Sequence, residues 1–164
     1  MKLKEPIKID FLDFFQTAKF DSIKLGQTRE WILNNFPAPD EIGENGNFEI
    51  WNYGGIEFHF ENQILFLIYS DHWYEGKLTG GNNLKLDKWI FDDISKLNLR
   101  FVIESLNTHN IDFKKKTDNL GVLLRLKSGI ELTFENADDI EGLDSNDFHL
   151  SSFGLVAENP NRWK

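Results

Sequence analysis

Residues 55–62 read GIEFHFEN and residues 129–136 read GIELTFEN. Six of the eight letters agree, and the differences fall at Phe58 against Leu132 and His59 against Thr133. Both copies alternate apolar and polar residues with a period of two, the mark of a strand with one buried face. Ile56, Phe58 and Phe60 share one side, and Glu57, His59 and Glu61 share the other. In the second copy Ile130, Leu132 and Phe134 oppose Glu131, Thr133 and Glu135. Each copy is opened by a glycine turn, Gly54-Gly55 in the first and Ser128-Gly129 in the second.

The chain around the first copy extends the pattern. Phe48, Ile50 and Asn52 alternate with Glu49, Trp51 and Tyr53. After Glu61-Asn62-Gln63 the run ILFLIYS is apolar on both faces and reads as a central strand. Upstream, DFLDFFQTAKF spaces Phe11, Leu12, Phe14, Phe15 and Ala18 as a helix stripe capped by Asp10. Thr28 caps a second short helix carrying Trp31, Ile32 and Phe36, which Pro37 and Pro39 end.

The segment 71–83, DHWYEGKLTGGNN, reads as a Gly/Asn-rich connector between two halves. Beyond it, residues 92–107 read as one helix or two short ones, residues 120–127 as a strand, and residues around 148–152 as a last strand. The order of elements therefore repeats. Two units with one apolar face each bury those faces together. The expected fold is α+β: one domain over residues 1–164, built from two helix–β-meander repeats (about 10–73 and 84–155). They form one antiparallel sheet with the helices on one face.

Composition narrows the function. A chain of 164 residues with 40% hydrophobic and 14% aromatic residues hides about 70% of its extended surface without a metal or disulfide staple. With no cysteine, disulfides, thiolate metal sites and cysteine nucleophiles are excluded. No signal segment follows Met1, and no apolar run nears the roughly 20 residues that span a bilayer. The location read from these features is cytoplasmic. The net charge of −9 repels nucleic acid and anionic lipid and favours a basic partner.

Leu25, Gly26, Thr28, Pro37, Trp51, Tyr53, Phe58 and Phe60 carry a pattern of Gly-x-Thr, helix, proline loop, Trp-Tyr strand and Phe-x-Phe strand. It resembles the repeat of beta-lactamase inhibitor protein and of the small lipoproteins of the outer-membrane barrel-assembly machinery. About 50 residues carry the likeness well, and the second half carries it faintly. It is also similar to uncharacterised small bacterial cytoplasmic proteins, and for some of these the resemblance implies toxin immunity. The resemblance implies two repeats joined in a curved sheet whose ring-rich, acidic face grips a protein without catalysis. Lacking the lipid-anchor cysteine, a signal segment and disulfides, this chain does not inherit export or beta-lactamase inhibition.

Chemistry-bearing motifs are sparse. Ser70-Asp71-His72 are adjacent on a strand end, where neighbours point apart, and no Gly-x-Ser-x-Gly or phosphate-cradling loop is written. Lys114-Lys115-Lys116 reads as a solvated loop. Glu57, His59 and Glu61 stand about 7 Å apart along one strand face, the alternative of an enzyme or a small-ligand or metal site. The preferred reading is a non-catalytic protein-binding module with no cofactor and no metal, most concretely an immunity protein against a basic toxin. The sequence leaves its oligomeric state open. Its expected partner-binding residues are Glu49, Trp51, Tyr53, Glu57, His59, Glu61, Tyr69 and Trp73, with Tyr74 beside them. Trp51 and Tyr53 are expected on the open side of the sheet, since Phe48 and Ile50 are taken to face the helices.

Overall fold

The computed structural model describes residues 6–73 and 75–157. In chain order, β1 (Ile7–Asp10) leads into α1 (Phe11–Thr17) and α2 (Arg29–Asn35). The first meander follows: β2 (Glu41–Asn45), β3 (Phe48–Tyr53), β4 (Ile56–Glu61) and β5 (Ile64–Ser70). Then β6 (Leu84–Asp87), two 3₁₀ turns (Trp89–Asp92, Ile94–Lys96) and α3 (Leu99–Thr108) precede the second meander. It consists of β7 (Phe113–Asp118), β8 (Gly121–Leu126), β9 (Ile130–Glu135) and β10 (His149–Val156).

The fold is α+β. Eight strands form one antiparallel sheet in the order β2-β3-β4-β5-β10-β9-β8-β7, and β1 pairs with β6 in a small parallel sheet. The two meanders meet at the centre, where Ile68 pairs with Leu155 and Ser70 with Phe153. The two similar octapeptides thus form the third strand of each meander, β4 and β9, one place out from the centre on either side.

Local chemistry starts the helices where the sequence marks them. The Asp10 side chain accepts from the Asp13 amide at 3.0 Å, and α1 ends at Ala18 in the left-handed region, φ 63°. Thr28 accepts from the Trp31 amide at 3.1 Å and Asn98 from the Phe101 amide at 2.9 Å. Such caps satisfy amides that the first turn leaves without partners, each worth about 1 kcal/mol.

One face of the sheet and all three helices share the core. Phe11, Phe14 and Phe15 of α1, Ile32 of α2 and Val102 of α3 are fully buried with Phe58 of β4 and Leu132 of β9. The packing is ring on ring: Phe153 lies 5.9 Å from Phe11 and 5.7 Å from Phe15, and Phe20 lies 5.5 Å from Phe58, mostly edge to face. Such pairs add about 0.5–1.5 kcal/mol each beyond their buried area. No helix among the described residues is long and apolar enough to cross a membrane.

Four strands go beyond the expected set. β1, β2 and β6 are additional to it, and the three lysines 114–116 lie in edge strand β7, not in a loop. Lysines on an edge blunt its tendency to pair with other chains. The strand expected near 148–152 runs to Val156 and lies in the middle of the sheet.

Candidate functional site

Strand register decides which side chains meet on the face away from the helices. The two-residue turn at Gly54-Gly55 pairs Tyr53 with Ile56, Trp51 with Phe58 and Ile50 with His59. Directly opposed residues share a face. Trp51 and Tyr53 therefore join Phe58 in the core, both at 0% exposure. This corrects the expectation that they face outward. Phe48 and Ile50, expected toward the helices, take the open side, and Phe48 is 46% exposed. The signal was in the turn: two residues between strands force 53 and 56 onto one side, and 56 already belonged to the core.

The buried residues have structural partners. Trp51 Nε1 donates to Glu49 Oε1 at 2.6 Å. Arg29 Nε, at the start of α2, donates to both oxygens of Glu49 at 2.9 Å, and its guanidinium sits 5.7 Å from the Trp51 ring centre. Glu49 thus ties α2 to β3 on the helix side and is not on the open face. Tyr53 donates its hydroxyl to the Pro37 carbonyl at 2.7 Å. Burial first, and the charge of Asp40 second, push its pKa well above the ordinary tyrosine range. Trp73 is half-buried at the core margin, stacked at 20° and 6.1 Å on Phe153. Tyr74 lies outside the described residues.

Glu57, His59 and Glu61 do project from the open face, as expected, and Tyr69 joins them opposite Glu57. A bulge shapes this region. Leu67 pairs with His59 and Leu65 with Phe60, so Phe66 has no opposite number. The extra residue puts Phe66 and Leu67 consecutively on the open side. The Phe66 ring lies 6.5 Å from Phe48 and 6.2 Å from His59, and His59 lies 6.2 Å edge-on to Tyr69. Ile64 and Phe48, both opposite Glu61, extend the patch. Ile64 is 39% and Phe66 37% exposed. The result is a row of rings and aliphatics flanked by acids.

No family model, curated protein or solved structure matches this chain.

The polar groups on this face hold one another. His59 Nε2 and Glu57 Oε2 are 2.8 Å apart and both side chains are mostly buried. Tyr69 has a pKa raised mainly by burial, with the charges of Asp71 and Glu57 adding and a hydrogen bond with Ser152 opposing. Glu57, Asp71 and His72 bring one ligating atom each within 4.8 Å of one another, a grouping that includes neither His59 nor Glu61. Asp71 Oδ1 contacts His72 Nδ1. They meet because β5 ends at Ser70, so strand alternation no longer holds them apart. Ser70 itself is fully buried and donates to the Gly55 carbonyl at 2.6 Å, which removes it from any nucleophilic role with that pair.

Proposed function

We propose that the protein is a non-catalytic binding module whose open sheet face, on the side of the first meander, docks a basic protein. The observation that carries this reading is the exposed row Phe48, Ile64 and Phe66 beside Glu57 and Glu61. Large apolar side chains in one patch, rimmed by charge, are the composition of interfaces rather than of ordinary surface. The rings supply contact area, and the acids, within a net charge of −9, speed and orient encounter with a cationic partner. The same charge disfavours nucleic acid. Phe48 and Phe66 take the anchoring part that the sequence assigned to Trp51 and Tyr53.

The most concrete form of this function is an immunity protein acting in the cytoplasm against a toxin with a basic active site. The shared order of elements in the two halves, and the placement of both octapeptides in third strands, support descent from one duplicated helix–meander unit. The test is co-expression with each candidate toxin, starting with any that the neighbouring genes encode. The wild type is expected to restore growth, and the Phe48→Asp, Phe66→Asp double variant to lose at least tenfold in toxin affinity while folding normally. Protection that survives both substitutions defeats the reading.

A further inference from the structure

The three-residue cluster at the end of β5 shares Glu57 with the proposed docking face, but it adds Asp71 and His72, a chemistry that docking does not use. Glu57 comes from the interior of β4, whereas Asp71 and His72 come from the segment just past β5. Their ligating atoms lie within 4.8 Å of one another. Ligands sharing one ion at about 2.1 Å stand roughly 3–4 Å apart, a spacing that small side-chain rotations reach. Asp71 and His72 are exposed enough for such adjustment, at 38% and 58% of their side chains.

Two features distinguish the cluster from a solvated acidic patch. The first is orientation. His59 occupies Oε2 of Glu57 at 2.8 Å, which fixes the carboxylate plane, as outer partners fix metal ligands. The second is an opening lined by polar groups. A polar cavity of about 350 Å³ adjoins the cluster, and Asp40 and Glu41 line it together with Glu57 and His72. Glu57 and Asp71 enter from two different elements and meet at the rim of this opening, where an ion can reach both carboxylates and the His72 ring.

We propose that Glu57, Asp71 and His72 form a binding site for a divalent transition-metal ion. Two carboxylates and one imidazole suit Zn²⁺ or Mn²⁺; Ca²⁺ and Mg²⁺ prefer all-oxygen shells. Three protein ligands leave positions for water or for a donor group on another molecule. The ion also lowers the negative charge beside Tyr69 and joins the end of β5 to β4.

The experiment is a calorimetric titration of the chelator-stripped full chain with Zn²⁺ and with Mn²⁺, in the absence of any partner. One saturable site is expected in the micromolar range. His72→Ala and Asp71→Asn, outside the strands and exposed, are expected to weaken it at least tenfold with unchanged circular dichroism. Glu104→Gln on α3 is expected to change it less than twofold. Pulsed EPR of the Mn²⁺ form is expected to show coupling to one imidazole nitrogen, lost in His72→Ala. Absence of saturable binding below 1 mM (an order-of-magnitude ceiling), or binding indifferent to His72→Ala, overturns the site. Neither result bears on toxin protection, which the Phe48 and Phe66 substitutions test separately.

Discussion

β4 and β9 stand at the same place in their meanders, yet their open faces have become different surfaces. On the core side they match: Phe60 and Phe134 are both buried beneath the helices. Even the irregularity is shared. The bulge in β5 falls opposite His59 and Phe60, and the bulge in β10 falls opposite Thr133 and Phe134. What differs is what each bulge displays. The first presents Phe66, beside His59 and Tyr69. The second presents Ser151, which donates to the Thr133 carbonyl at 3.2 Å, with Ser152 and Gly154 after it. The acids diverge as well. Glu57 bonds a histidine on its own strand, whereas Glu131 bonds Arg125 across the ladder at 2.9 Å with both side chains largely buried. A strand's letters fix its core side; the neighbours set beside it decide what its other side is for.

The largest expected effect concerns the half of that comparison where the strands agree. Phe60→Ala and Phe134→Ala should each cost about 3–5 kcal/mol, measured by urea denaturation. A difference of several kcal/mol between them would break the equivalence of the two core sides. The open sides should then separate. Arg125→Ala strips a largely buried Glu131 of its strand-to-strand partner and should cost roughly 3 kcal/mol. His59→Ala removes one hydrogen bond from a carboxylate less buried than Glu131, 23% against 7% exposed, and should cost less, about 1.5 kcal/mol. Equal losses would mean that the first meander's polar face is as structural as the second's.

A smaller effect separates the second strands, which end in Tyr53 and Leu126, both buried. Only the first is ionisable. Because folding raises the Tyr53 pKa, the folded state holds that proton more tightly. Its contribution is complete below about pH 10, the value of an unfolded tyrosine, and is lost as pH rises further. Tyr53→Phe should cost about 1 kcal/mol at pH 7 by leaving the Pro37 carbonyl without its donor. It should also flatten the alkaline fall in stability. Urea midpoints of both proteins between pH 7 and 11 check the sign.

The alternation in 55–62 and 129–136 made the core faces of β4 and β9 legible, and the caps at Asp10 and Thr28 announced α1 and α2. Phe48 to Tyr53 was ambiguous because both of its faces are apolar, so periodicity had no side to choose; the turn length did. EIGEN and FKKKTD form strands with little apolar content of their own, since at an edge the ladder to one neighbour suffices. The bulge that exposes Phe66 leaves no trace in ILFLIYS. It exists only in the pairing of β5 with β4. The meeting of Asp71 with His72 likewise depends on where a strand stops, which composition does not mark.

The pairing of β5 with β10 has a consequence for biosynthesis. The middle of the sheet is built from residues separated by about half of the polypeptide, so β5 emerges from the ribosome long before its inner neighbour exists. Phe153, which closes the cluster around α1, arrives with that same late strand. Translation halted before residue 149 would yield an open, aggregation-prone edge, not a smaller version of the protein. Such distant pairing also sets a slow pace for folding.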